Sequence, residues 1–348
     1  MTDMQSPTLA SRRRFRLQEL GLIVVIVLLY IALSVAGKLN ASGRFANDFL
    51  NFDNQFNGIA ASMSIYAIMA VGMTCVIITG GIDISVGSIM GFAALAGASV
   101  LQMLPVDAPW YFVLPVGVLV PVAAGALCGL VNGGLIVGLR MHPFIVTLGT
   151  MSIIRGAAIL VFPKSVPVPG RDLPDAFSAV MSYEFGMGLR LVPVLVMLAV
   201  VGAGWVFLQL MVAGRETYAV GGNAEAARFS GIRVGWATMR VYLVMGICAG
   251  VAALVQLGRF NSASTDNGSG DELLVIAAAV VGGASLVGGR GTALGALLGA
   301  LVIKLIDNGI LILRLNTEYT KVIVGASIII AVAVDRFSEY LHERRSRT

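Results

Sequence analysis

Several polar side chains that could act on a substrate interrupt otherwise apolar stretches of this sequence. Two adjacent glycines, Gly80 and Gly81, can break a helix, and Asp83 and Ser85 follow them at once. A charge near hydrocarbon is costly and is kept where it lines a cavity or meets a partner. The segment is therefore either a broken helix at a translocation path or a cytoplasmic turn in which Asp83 or Ser85 caps the next helix.

Other polar residues fall inside predicted membrane spans. Arg155 needs a water-filled cavity or an acidic partner, for which Asp83, Asp271 and Glu272 are candidates, and an ion pair is favoured over a substrate contact. Amides next to glycine could bind a polyhydroxylated substrate, but a role in joining helices is favoured. The translocation-path candidates are Thr79, Asp83, Ser85, Asn132, Arg155, Glu272 and Asn308.

The carboxylates also allow two other kinds of chemistry. An ion-coupled transporter could use Asp83, Asp271 or Asp307 as its coupling group. However, Lys304 and Asp307 share one helix face, as do Glu318 and Lys321, and such spacing favours neutralised pairs over a proton relay. The run from Gly268 to Asp271 has the local pattern of intramembrane aspartyl proteases, but no Tyr-Asp dipeptide supplies a second aspartate, so a helix cap is favoured.

Most catalytic and cofactor classes are excluded by what the chain lacks. It has only two histidines, His142 and His342, and neither belongs to a zinc-binding pattern. No lysine belongs to a phosphate-binding loop, so any ATP and magnesium must be held by another chain. We therefore expect no catalytic residue, no metal site and no cofactor bound by this chain.

The longest polar interruption in the second half is Gly214–Arg240, which lies between two apolar spans and must project from one membrane face. Asn223 is predicted to cap a short helix, which Gly231 would end. A partner gripping that helix could move the spans on either side. The residues expected to carry this coupling are Gly222, Asn223, Glu225, Ala226, Ala227, Arg228 and Gly231.

Composition identifies the fold class. The chain has 348 residues, of which 57% are hydrophobic and 12% charged, with a mean hydropathy of +0.88, so it is predicted to be an all-α integral membrane protein. Its net charge is +5, and the positive residues cluster at the predicted membrane edges instead of forming one surface that could bind nucleic acid. The ten predicted spans are 20–36, 59–79, 86–104, 110–139, 144–162, 191–213, 238–258, 273–289, 293–313 and 319–334.

An even number of spans places both termini on one side, and the excess of arginine on that side makes it cytoplasmic. A cleaved signal peptide is the alternative for the basic N-terminus, but more spans follow it. The predicted organisation is a cytoplasmic tail 1–19, a transmembrane domain 20–335 with the cytoplasmic loop 214–240, and a cytoplasmic tail 336–348. Spans two to five and seven to ten begin on opposite sides, which predicts an inverted repeat.

Four sequence runs carry a resemblance to a known family. They are residues 70–88 (AVGMTCVIITGGIDISVGS), 219–232 (AVGGNAEAARFSGI), 276–292 (IAAAVVGGASLVGGRGT) and 307–309 (DNG). In this order and spacing the chain resembles the permease subunits of ribose-type (CUT2) bacterial ABC sugar importers, from about Phe45 to Arg336. Glu225, Ala226 and Ala227, with Gly231 after them, resemble the EAA loop on which such permeases dock their ATPases.

The resemblance implies a permease that moves a monosaccharide or related polyol from periplasm to cytoplasm by alternating access. It also implies a second permease copy or paralogue, a cytoplasmic ATPase that binds the nucleotide, and a periplasmic sugar-binding protein. The loops Lys38–Gly58 and Pro163–Arg190 would receive that binding protein. The expected location is the bacterial inner membrane.

Overall fold

The computed structural model describes residues 8–39, 49–167, 172–186, 188–330 and 333. The predicted tail 336–348 and part of the loop 38–58 lie outside these residues. The described residues form thirteen helices, and the bounds of the last helix are given as residue numbers. They are α1 (Thr8–Leu39), α2 (Ala61–Ile78), α3 (Val86–Gln102), α4 (Trp110–Leu139), α5 (Pro143–Val161), α6 (Asp175–Met181), α7 (Leu191–Gln209), α8 (Val212–Gly222), α9 (Ala224–Phe229), α10 (Val234–Phe260), α11 (Asp271–Val281), α12 (Ala293–Ile312) and α13 (residues 318–330).

Two features complete the element order. A π-helical segment, Asn54–Ala60, runs directly into α2. Four two-residue strands form two antiparallel pairs, β1 (Ser165–Val166) with β4 (Ala263–Ser264) and β2 (Glu184–Phe185) with β3 (Leu189–Arg190). The rest of the described chain is helix and connecting turns.

Each of the ten predicted spans overlaps a helix in the described part of the chain, and the all-α membrane fold is confirmed. Six helices among the described residues are long and apolar enough to cross a membrane, and Leu20–Ala36 and Val86–Gln102 are shorter apolar helices. The eighth predicted span, 273–289, is wrong in extent, because α11 ends at Val281. Glycines with positive φ follow it at Gly283, Gly288 and Gly289, which turns the chain where a helix was expected. The inverted repeat stays a prediction.

The centre of the bundle is formed by α2 and α10. Nearly every residue of α2 is buried, and α10 packs against α2, α3 and α4. Glycines allow close contact between α4 and α10. A Cβ placed at Gly125 would lie 2.3 Å from the Gly246 carbonyl oxygen, and one at Gly129 would lie 2.3 Å from that of Tyr242. Small residues let helix backbones approach in this way in lipid, where packing and not water exclusion holds helices together.

Contacts along α10 show whether the chain runs in the same or the opposite direction in α2 and α3. At one end of the bundle, which we call the α9 face, α10 begins just after α8 and α9. At the other end, the hairpin face, the Arg259 guanidinium donates to Ser62 at the start of α2. Gly97 near the end of α3 meets Leu257, so α3 runs parallel to α10 and α2 antiparallel to it. The connection between α2 and α3 therefore reverses the chain near the α9 face.

Candidate functional site

The short helix α9 has the ends predicted from the sequence. The Asn223 side chain accepts a hydrogen bond of 2.9 Å from the Ala226 amide, which caps the first turn. Gly231 ends the helix with φ +85°, a left-handed conformation that glycine adopts without strain. On its inner side Ala227 is buried in a small apolar cluster with Val220 and Ala237. This cluster fixes α9 to both α8 and α10.

The outer side of α9 is free. Glu225, Ala226 and Arg228 are exposed, and Phe229 has 92% of its surface in solvent. An aromatic side chain held out in this way has the size and apolar surface of an interface anchor. The sequence analysis missed Phe229, although an aromatic residue within a short polar helix is the signal that could have indicated it.

The segment before Asn223 differs from the expectation of a polar loop with one short helix, because residues 212–222 form α8. Two polar bonds hold α8 to the bundle. Arg240 on α10 pairs with Glu216 at 2.6 Å, and the Tyr218 hydroxyl donates to the Gly291 carbonyl at 2.7 Å. Burial raises the pKa of the Tyr218 phenol, so it stays a neutral donor.

The end of α8 touches two other turns, and we call this contact the glycine junction, formed by residues 78–80, 221–222 and 288–289. The Gly289 amide donates to the Ile78 carbonyl oxygen at 2.8 Å. A Cβ at Gly221 would lie 1.6 Å from the same oxygen, and one at Gly288 would lie 2.7 Å from the Gly221 oxygen. Backbone therefore meets backbone directly, and a movement of α8 has no intervening side chain to absorb it.

The buried turn between α2 and α3 begins at this junction. Asp83 is fully buried, and its Oδ1 accepts from the Ser85 amide at 2.9 Å and from the Ser85 hydroxyl at 2.5 Å. Asn132 on α4 donates to Ser85 Oγ at 2.8 Å and to Asp83 Oδ2 at 3.3 Å. Neither sequence interpretation describes this turn fully: the chain reverses instead of continuing as a broken helix, yet the turn is buried instead of lying in water.

Arg155 has different partners from those expected. Its Nη1 donates to the backbone carbonyls of Thr265 at 2.8 Å and Asn267 at 2.7 Å. Among the described residues no salt bridge within 4.0 Å includes Arg155, so the expected direct ion pair is not formed, although Asp271 lies within electrostatic range of the guanidinium. The reason is the non-helical segment 263–270, which lies beside Gly87 and Gly91 of α3. Backbone carbonyls that are partly removed from water need partners, and the guanidinium supplies them.

The other predicted polar residues mostly join helices. Asn308 and Asn54 exchange two amide hydrogen bonds, of 2.8 and 3.1 Å, which matches the favoured joining role. Thr79 donates to the Val76 carbonyl of its own helix, and Glu272 lies near Gly87. The expected ion pairs are confirmed, Lys304 with Asp307 at 2.6 Å and Glu318 with Lys321 at 2.8 Å.

Asp271 is the first residue of α11, whose N-cap is Gly270 with no side-chain bond, so the favoured cap is wrong; its carboxylate accepts a bond of 3.3 Å from the Tyr66 hydroxyl. In the described part of the chain, no group of three or more His, Cys, Asp or Glu side chains is placed to hold a metal ion. The predicted path residues do not form one continuous site: Asp83, Ser85 and Asn132 contact one another, while Arg155 and Asn308 lie in separate networks.

Comparison with known proteins gives consistent matches over most of the chain. Residues 55–332 match the family described as "Branched-chain amino acid transport system / permease component". The ribose import permease protein of Escherichia coli K12 is 35% identical, over 95% of this chain and 99% of that protein. That of Bacillus subtilis is 36% identical over 92% and 93%, and the D-allose transport system permease protein of E. coli K12 is 35% identical over 84% and 87%. No solved structure gives a significant match.

Proposed function

Because the chain belongs to this family of transport-system permeases, we propose that it is the membrane-spanning subunit of an ATP-driven importer for a monosaccharide or related polyol. The sugar class is supported by the relatives named for ribose, D-allose and galactose, which match along most of their own length. The family description itself names branched-chain amino acids, so an amino acid is the substrate class against which the proposal must be tested. Family membership leaves the ion-coupled and protease alternatives without support.

The observation that carries the ATP-driven mechanism is the contact chain from α9 to the buried turn. A cytoplasmic ATPase would grip the exposed side of α9 at Glu225, Arg228 and Phe229. The cluster of Val220 and Ala227 would pass the displacement to α8. The glycine junction would then move the end of α2, and with it the turn that holds Asp83. The bundle would thereby switch between outward and inward openings as nucleotide binds and is hydrolysed.

The other functions of the importer would be carried by other chains. ATP and magnesium would be bound by the ATPase, and this chain would be non-catalytic and would hold no cofactor. A second permease copy or paralogue would complete the membrane unit, and a periplasmic binding protein would deliver the sugar to the hairpin face. The protein would lie in the bacterial inner membrane with both termini and the loop 214–240 in the cytoplasm.

Accessibility labelling tests the orientation on which this depends. In a variant whose three cysteines are replaced by serine, Phe229→Cys should react with an impermeant thiol reagent only in inside-out vesicles. Labelling in intact spheroplasts instead would place α9 in the periplasm and refute the proposal. The working complex is tested by reconstituting the chain with its ATPase and binding protein. ATP-dependent uptake of ribose, allose or galactose is expected, and uptake of leucine alone would refute the sugar class.

A further inference from the structure

A polar cavity of about 360 Å³ opens at the hairpin face, at the opposite end of α10 from α9. The helix between them has 27 residues, so the two sites are about 40 Å apart. Three parts of the chain that are distant in sequence meet there: the π-helical segment with the start of α2, the β2–β3 hairpin, and the end of α10. The lining residues are Asp53, Asn57, Ala61, Glu184, Gly188, Arg190 and Arg259.

Asn57 holds these parts together. Its amide nitrogen donates to Asp53 at 2.6 Å and to the Gly188 carbonyl at 2.8 Å, and its amide oxygen accepts from the Arg190 amide at 3.2 Å. The Arg259 guanidinium donates to the Asn57 carbonyl at 3.1 Å. The cavity wall is therefore fixed by bonds between its own lining residues, and is formed before any ligand enters.

The charges of the cavity balance one another. Two carboxylates, Asp53 and Glu184, face two guanidiniums, Arg190 and Arg259. Arg190 is paired with Glu184 at 3.4 Å, and Asp53 accepts from Asn57. A ligand with a single net charge would therefore meet both attraction and repulsion here, and a zwitterion would have to compete with the ion pair that already exists, Arg190 with Glu184.

The hydrogen-bonding groups suit a neutral ligand with several hydroxyls. Each carboxylate retains oxygen lone pairs that accept, and each guanidinium has N–H groups beyond those already used. A hydroxyl both donates and accepts, so neighbouring hydroxyls of a sugar ring can bridge a carboxylate and a guanidinium. The volume lies at the lower end of the usual range for small-molecule pockets, which suits a ligand of monosaccharide size.

We propose that this cavity is a monosaccharide-binding site at the outer mouth of the permease, occupied by the sugar on its way from the binding protein into the membrane. The assignment rests on the proposed import function and adds to it a place where this chain itself contacts the substrate. Asp53 and Glu184 accept from sugar hydroxyls, and Arg190 and Arg259 donate to them.

Ligand-observed NMR on the full chain in lipid nanodiscs tests the site without any transport. Ribose, allose and galactose are the probes, and leucine is the zwitterionic comparison. At least one sugar should show saturation transfer with the parent protein, and Asp53→Asn with Glu184→Gln should weaken its binding at least tenfold. The matched control is Glu318→Gln, which removes an exposed, ion-paired carboxylate outside the cavity and should bind as the parent does.

Equal binding by the parent, the double variant and the control would overturn the site, as would binding of leucine without any sugar. If the double variant does not give monodisperse protein, Asp53→Asn alone leaves the pair of Arg190 and Glu184 intact and should still weaken binding. ATP-driven sugar uptake without sugar binding to this chain would overturn the site and leave the import function standing. Absence of both would overturn the two together.

Discussion

Replacing Gly221 by alanine should separate nucleotide hydrolysis from transport. The added Cβ would lie 1.6 Å from the Ile78 carbonyl oxygen and 2.7 Å from the Gly289 amide nitrogen. Both atoms are backbone, so no side chain can rotate away, and α8 must withdraw from the end of α2 by more than an ångström. Overpacking of this kind costs about 3 kcal/mol, and each 1.4 kcal/mol is a factor of about ten in an equilibrium.

The neighbouring position supplies the control. Gly222 belongs to the same junction and ends α8, but a Cβ there meets nothing within 4 Å, so Gly222→Ala adds a methyl group to the junction without the clash. Gly222→Ala should therefore stay within about 1 kcal/mol of the parent, because alanine is the better helix former. Gly221→Ala and Gly222→Ala place the same methyl group at adjacent positions of α8, and only the first of them creates a clash.

The assay is the reconstituted complex with its ATPase and binding protein, in which ATP hydrolysis and sugar uptake are measured together. Gly221→Ala should keep hydrolysis within about twofold while uptake falls by about tenfold or more, and its thermal midpoint should fall below that of Gly222→Ala. Equal uptake and equal thermal midpoints in the two variants would refute the reasoning, because the glycine junction would then not be a tight contact in the working protein.

Three further substitutions test other contacts. Phe229→Ala should weaken binding of the ATPase by about 2 kcal/mol, roughly thirtyfold, in a titration of the complex, since it removes the exposed anchor of α9; unchanged affinity would contradict that role. Arg155→Met should lower the unfolding free energy by roughly 2 kcal/mol, because two partly buried carbonyls lose their donor, whereas Arg155→Lys should recover part of it; a neutral Arg155→Met would contradict the account. Asn308→Ala should cost only about 1 kcal/mol in thermal unfolding, because Asn54 keeps its second bond to Phe49; a loss of transport at normal stability would instead indicate a substrate contact.

Local chemistry explains why much of the fold could be predicted from the sequence. Continuous apolar runs define the spans, and α4 begins at Trp110 and α12 at Ala293 as predicted. The N-cap at Asn223 and the end of α9 at Gly231 depend on residues within a few positions of one another, so the local sequence is enough to predict them.

What could not be predicted depends on contacts between distant parts of the chain. An acidic partner was expected for Arg155 because its cost in lipid demands compensation, but backbone carbonyls 110 and 112 positions away supply it. The spacing of Gly221 gives no sign that it meets Ile78. The cavity at the hairpin face is the same kind of case, since its walls come from three segments that no sequence pattern connects.

The glycine faces of α4 and α10 have a mechanical consequence. Gly246 lies near the middle of α10 and packs against Gly125 and Gly129 of α4, with no bulky side chains between the two backbones there. A straight helix that contacts its neighbour through small residues near its centre can tilt about that contact. A displacement of α10 at the α9 face would then be accompanied by an opposite displacement at the hairpin face. Spin labels at residues 236 and 260 should then shift in opposite directions relative to α4 when nucleotide is added, and a shift of one end alone would show that α10 bends instead.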